Sequence, residues 1–137
     1  MSFVLDASAT LPWCFVGEAT GESFALLERL KSDFAQVPPI WALEIANTLT
    51  VAERRGRIAP AATTEFLDVL AGLDIRHDAA AVERALVQVL DLARAYAITS
   101  YDASYLDLAM REGVPLATRD EALAAAARRV GVAVIAA

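Results

Sequence analysis

Four acidic residues stand where a folded chain could gather negative charge: Asp6, Glu44, Asp102 and Asp120. Asp6 directly follows the apolar run Phe3-Val4-Leu5, and Asp120 comes two residues after the stretch Leu116 to Thr118. Asp102 falls in the first turn of one helix, and Glu44 in the first turns of another, just after Pro38-Pro39. In open α/β sheets, ligands bind outside the carboxyl ends of the strands. If the four elements point the same way, the four carboxylates meet at one edge of the sheet. Ionised carboxylates packed together repel one another and raise one another's pKa, so such a cluster calls for a divalent cation. Oxygen-only donors select a hard ion, Mg²⁺ or Mn²⁺. Mg²⁺ keeps several waters and takes one or two carboxylates plus substrate phosphate, which suits phosphodiester hydrolysis by a metal-activated water. Taken singly, each acid has an ordinary reading. Asp6 and Asp120 could cap helices, and Asp102 and Glu44 could be first-turn acids that complement the helix dipole. The combination and its setting carry the argument.

These residues need a scaffold, and the hydrophobic pattern supplies one. Phe3-Val4-Leu5 reads as a buried strand. Ser8 can cap a short helix from Ala9 to Phe15, with Pro12 tolerated in its first turn. Glu18 to Lys31 is expected to be helical, with Phe24, Leu27 and Leu30 on its apolar face. Gln36-Val37 is a short strand before the two prolines, and Ile40 to Arg55 a helix with Leu43, Ala46, Asn47 and Thr50 along one face. Pro60 opens the next helix, whose core face is marked by Phe66, Leu67 and Leu70. Leu73 to His77 reads as a strand. Ala79 to Tyr96 follows as a long helix that turns Val82, Leu86, Val89, Leu90 and Ala93 inward. Thr99 or Ser100 caps a helix from Ala103 to Arg111, closed by Gly113. Val114 to Thr118 is a strand, Glu121 to Val130 a helix, and Val132 to Ile135 the last strand. Short strands separated by helices predict one α/β domain over residues 1–137, a parallel sheet with helices on both faces.

Composition narrows the function classes. The chain has 137 residues, 57% apolar and 22% charged, which excludes a disordered chain. Cys14 is the single cysteine and His77 the single histidine, so no Cys-based zinc site, disulfide framework or multi-histidine metal site is possible. Twelve basic against eighteen acidic residues give a net charge of −6, which argues against coating nucleic acid by bulk charge. A site that binds phosphate through a metal is compatible with it. No apolar run is long enough for a membrane span and no secretory signal is evident, so a cytoplasmic location is expected.

Four segments taken together resemble the PIN-domain ribonucleases, specifically the VapC toxins of bacterial toxin–antitoxin pairs. They are Val4-Leu5-Asp6-Ala7-Ser8, Pro39-Ile40-Trp41-Ala42-Leu43-Glu44-Ile45-Ala46-Asn47, Thr99-Ser100-Tyr101-Asp102-Ala103-Ser104-Tyr105-Leu106 and Leu116-Ala117-Thr118-Arg119-Asp120. Each is short, but they fall in the right order at the right separations and span essentially the whole chain. The resemblance implies a three-layer α/β/α PIN-like fold with a five-stranded parallel sheet. It implies that Asp6, Glu44, Asp102 and Asp120 bind Mg²⁺ (or Mn²⁺) and cleave RNA. It further implies that Ser8 and Thr118 support the carboxylates by hydrogen bonding and that Asn47 lines the same groove. A homodimer and a partner antitoxin that blocks the groove are implied as well. Two alternatives share the fold: a catalytically inactive binding module and a DNA-directed nuclease. A receiver-like phosphorylation domain fits poorly, because a single acid follows the first strand and Lys31, the only lysine, is misplaced.

Residues around these motifs carry further expectations. Arg119, inside the last motif, is the arginine nearest the site and a candidate RNA phosphate contact. The cluster Arg54, Arg55 and Arg57 is read as complementing a helix C-terminus. Asp107 is read as solvated helix surface, and His77 as structural. Trp13, Phe15 and Trp41 are read as core, although Trp13 and Phe15, if exposed, would form a groove for an antitoxin segment.

Overall fold

A computed structural model describes residues 1–137, leaving aside only the side chain of residue 81. Five strands form one parallel sheet: β1 (Phe3–Leu5), β2 (Ala35–Val37), β3 (Ile75–His77), β4 (Leu116–Ala117) and β5 (Val134–Ile135), in the spatial order β3-β2-β1-β4-β5. All four pairings are parallel, as expected where helices supply the crossovers. β1 lies at the centre, and Phe3, Val4 and Leu5 are wholly buried because layers cover both faces of the sheet. The chain leaves β1 towards β2 and later returns to β4 on the other side of β1. The switch point therefore lies between the ends of β1 and β4, where Asp6 N–H donates to the Ala117 carbonyl at 3.0 Å. Among the described residues no helix is long and apolar enough to cross a membrane.

The helices are α1 (Ala7–Thr10), α2 (Gly21–Arg29), α3 (Ile40–Arg54), α4 (Pro60–Ala71), α5 (Ala81–Arg84), α6 (Leu90–Tyr96), α7 (Ser100–Glu112) and α8 (Glu121–Arg129). The expected helix from Ala9 to Phe15 is instead α1 followed by a 3-10 turn at Leu11–Trp13. Ser8 lies inside α1 rather than capping it, because its hydroxyl is drawn to Asp6. The helix expected from Glu18 begins at Gly21, where Thr20 and Ser23 form a reciprocal capping box. Its buried stripe is Ser23, Leu26 and Leu30, and Phe24 faces outward. On α3 the buried stripe is Trp41, Ile45, Leu49 and Ala52, so the face bearing Leu43, Ala46, Asn47 and Thr50 is the outer one.

The long helix expected from Ala79 to Tyr96 is interrupted by a π-helical turn at Ala85–Val89. The extra residue in that turn breaks the 3.6-residue phase. Val89 stays buried, whereas Val82 and Leu86, read as core from the unbroken period, are exposed. α7 is the central helix, capped by the Thr99 hydroxyl, which accepts from Asp102 N–H, and closed by Gly113 at φ 65°. Ala103, Tyr105, Leu106, Asp107, Leu108 and Ala109 are all buried in it.

Asp107 is thus not solvated surface: it is 3% exposed. The physical reason is pairing. Arg84 of α5 donates through Nε and Nη2 to both its carboxylate oxygens at 2.8 and 2.9 Å, and Arg111 Nε donates at 3.1 Å. Arg111 also bridges to Asp78, just past β3. The network fastens α5 and the end of β3 to α7. Removing Asp107 leaves Arg84 without its paired carboxylate and Arg111 with Asp78 alone. Asp107→Ala is expected to lower Tm by about 10 °C in thermal unfolding. Asp68→Ala, at an exposed position on α4, is the matched control and should move it by no more than about 2 °C.

Candidate metal centre

The site grows from the ends of β1 and β4. Asp6 is buried, and a buried carboxylate persists only with donors around it. Ser8 Oγ donates to its Oδ2 at 2.6 Å, and Thr118 Oγ1 donates to the same oxygen at 2.7 Å. The two hydroxyls lie 3.2 Å apart, although 110 residues separate them in the chain. Each also accepts a backbone N–H from the segment after β4: Ser8 Oγ from Arg119 at 2.8 Å, and Thr118 Oγ1 from Asp120 at 3.0 Å. This lattice fixes the turn that carries Asp120. Asp120 Oδ1 in turn accepts Leu123 N–H at 2.8 Å, capping α8. Its ordinary role as a cap is therefore real, and it leaves Oδ2 for other work.

Glu44 sits in the second turn of α3, half-buried. The hydroxyl of Tyr105, which is wholly buried, donates to Glu44 Oε1 at 2.7 Å. Tyr105 was not singled out from the sequence, although it lies in the same segment as Asp102, three residues on and on the same side of α7. That spacing is the signal that could have found it.

The electrostatics show which residues the fold brings together. Burial pushes Asp6 above the usual carboxylate range, the hydroxyls of Ser8 and Thr118 pull it back, and the Asp120 charge pushes it up again. Glu44 is raised by burial, partly offset by the Tyr105 hydrogen bond, with further upward pressure from Asp6 and Asp120. Asp102 is pushed up to about 7, first by burial and then by Asp120, Asp6 and Glu44. Nothing acting on Asp102 favours its ionised form. All four acids therefore lie within one another's field, at the switch point.

Other predicted residues fall outside this lattice. Asn47 is exposed one turn after Glu44 on α3. Arg119 commits its guanidinium to the protein: Nε donates to the Ala137 carbonyl and Nη2 to the Glu18 carbonyl, each at 2.8 Å. It ties the chain's end to the loop before α2 instead of reaching towards the carboxylates. Phe15 and Trp41 are buried and Trp13 is half-buried, its indole N–H donating to the Ser23 carbonyl, so no Trp13–Phe15 groove opens. His77 lies exposed on edge strand β3, its ring edge-on to Trp41.

Among the described residues, no group of three or more His, Cys, Asp or Glu side chains is placed closely enough to hold a metal ion by itself. Mg²⁺ does not need one, since it takes one or two carboxylates and keeps its remaining waters. The donor set fits such an ion: every donor is an oxygen, and burial together with the charges of Asp120, Asp6 and Glu44 pushes Asp102 up to about 7.

Fold and site together define an α/β protein with a cluster of acids at the carboxyl edge of a parallel sheet. The chain belongs to the PIN domain family, whose model matches residues 3–129. PIN domains are typically metal-dependent nucleases. Among solved structures, PAE2754 from Pyrobaculum aerophilum is 25% identical with a TM-score of 0.71, over 98% of this chain and 84% of that one. VapBC2 from Rickettsia felis, solved bound to a DNA fragment from its promoter, is 13% identical with a TM-score of 0.68, over 99% and 98%. FitAcB from Neisseria gonorrhoeae is 19% identical with a TM-score of 0.62, over 98% and 96%. The last two share the fold. No curated protein matches the chain in sequence.

The raised pKa values set a sign for stability. Asp102 titrates at 3.8 when unperturbed and at about 7 in the folded state. The folded state thus binds the proton more tightly, and this contribution is complete below the unfolded pKa and lost as pH rises through the folded one. Asp6 and Glu44 shift in the same direction. Metal-free protein is therefore expected to melt at a lower temperature at pH 8 than at pH 5. Mg²⁺ should raise Tm more at pH 8, where it replaces the missing protons, and Asp102→Asn should flatten the pH dependence in a Tm-against-pH series.

Proposed function

We propose that this protein is a metal-dependent endoribonuclease and the toxin of a toxin–antitoxin pair. One observation carries the reading: Asp6, Glu44 and Asp102, from three separate elements, are each raised in part by the charge of Asp120 from a fourth, at the switch point of a PIN fold. These four residues would hold Mg²⁺ or Mn²⁺. When bound, the ion supplies charge neutralisation for the phosphodiester and an activated water for its hydrolysis. The chain's own part is positional. Ser8 and Thr118 hold the buried carboxylate of Asp6 in one rotamer, and the Asp120 backbone hangs from Thr118. Proton transfer falls to the acidic residues and solvent, because the one histidine lies on edge strand β3.

Two outer surfaces support the partner assignments. A groove of about 580 Å³ runs between α3 and α4, lined by Trp41, Ile45, Leu49, Leu67, Leu70 and Ile75. It takes the place of the Trp13–Phe15 groove as the seat for an apolar antitoxin segment, and the net charge of −6 favours a basic arm beside it. A second apolar face, around Leu43, Val82, Leu86 and Tyr101, is exposed. We assign it to a second copy of the chain, since large exposed apolar patches mark interaction surfaces.

The activity test is cleavage of single-stranded RNA, with single-stranded DNA of the same sequence alongside. Wild-type protein with Mg²⁺ or Mn²⁺ should cut the RNA. Asp102→Asn and EDTA should each lower the rate by more than about a hundredfold. Cleavage of the DNA alone would favour the DNA-directed alternative, and cleavage that survives EDTA would remove the metal. The dimer is tested by light scattering on the isolated protein. Wild type should have the mass of two chains, and Leu86→Glu, at a side chain 84% exposed within one chain, should have the mass of one while staying folded. A monomeric wild type would withdraw the assignment of that face.

A further inference from the structure

The strongest unassigned feature of the site is Tyr105. Its side chain is wholly buried, yet its hydroxyl reaches out of the core to Glu44, 61 residues away in sequence, at 2.7 Å. We infer that Tyr105 is a positioning residue: its hydroxyl fixes the Glu44 carboxylate relative to Asp102 by tying α3 to α7. The inference rests on the reading of the four acids as a divalent-cation site.

Three features of the geometry support it. First, Asp102 and Tyr105 belong to the same turn of α7, three residues apart, so the hydroxyl and the Asp102 carboxyl share one rigid element. Whatever holds Glu44 to Tyr105 also sets its distance from Asp102. Second, Glu44 is a long side chain on a half-buried face of α3, with three rotatable bonds to order. Asp6 receives two hydroxyl donors that restrict it, from Ser8 and Thr118. The hydrogen bond from Tyr105 gives Glu44 the same kind of anchor, on Oε1, and leaves Oε2 for the cation. Third, packing alone does not call for the hydroxyl. A phenylalanine would fill the ring's place in the core, and a buried phenol with no partner would cost stability. The oxygen is therefore explained by its partner.

The role separates from simple packing in metal affinity. Tyr105→Phe keeps the ring and deletes the donor. It is expected to unfold in EDTA within about 3 °C of wild type by circular dichroism. Mn²⁺ binding, followed by the loss of the free-ion electron paramagnetic resonance signal, should weaken about 10- to 100-fold, the usual effect of losing a group that orients a metal ligand. In a Glu44→Gln background the same substitution should weaken binding by no more than about twofold, because the carboxylate it positions is already gone. A Tyr105→Phe protein that binds Mn²⁺ like wild type overturns the assignment. So does an undiminished effect in the Glu44→Gln background, or a Tyr105→Phe protein that fails to fold, since each places the residue's role in the core. Wild-type protein that binds no Mn²⁺ overturns instead the reading of the site itself.

Discussion

Negative charge has to be held together at a point where the fold gives it no compensating cation of its own, and much of the local structure answers to that constraint. The repulsion starts at Asp6, which is buried at the end of the central strand. Removing a carboxylate from water is costly unless hydrogen bonds replace the lost hydration. The replacement comes from Ser8, the second residue of α1, and from Thr118, beyond β4. Those two strands are neighbours only because the sheet order reverses there. The topology thus brings the donors to Asp6, and the donors in return pin the β4–α8 turn through Arg119 N–H and Asp120 N–H. Asp120 is set in place by the same hydroxyl that steadies Asp6.

α7 extends this logic across the molecule. It is buried on nearly every side, so each polar group on it must find a partner or stand at its exposed end. Tyr105 finds Glu44, and Asp107 finds Arg84 and Arg111. These two solutions fall on different sides of the helix and serve different neighbours. One reaches the acidic cluster through Glu44, and the other secures α5 and the end of β3. Asp102 is the exception. It stands in the first turn with burial and three neighbouring charges against it.

The strand ends, and with them Asp6 as a candidate, were legible in the sequence, because a short apolar run that stops at an acid is a local pattern; Glu44 and Asp102 were read instead from their places in the first turns of helices. Five strands alternating with helices were legible for the same reason, and the departures are mostly in where helices begin. Readings that depended on what covers a face fared differently. Val82 and Leu86 fit a helical period, but a π-helical turn shifts their phase, and no residue type announces such a turn. Asp107 fits a surface position until Arg84, 23 residues earlier, is brought against it. Arg119 looked available for phosphate, and its partners, the carbonyls of Glu18 and Ala137, lie at opposite ends of the chain. Such pairings are properties of the tertiary structure and leave no local trace.

The division of labour among the four acids follows from these contacts. Asp6, Glu44 and Asp120 each have at least one oxygen bound to a protein donor, so their positions are set before any ligand arrives. Asp102 has burial and like charges around its carboxyl and holds its proton near neutrality. On the proposed reading, a cation binding among the acids would have to displace that proton, which would couple metal affinity to pH chiefly through this residue. On that reading, the three anchored acids would set where an ion sits, and Asp102 would set the pH at which it does so. A site built this way keeps its geometry in the absence of metal and places its responsiveness in one side chain, the one whose environment the fold has left uncompensated.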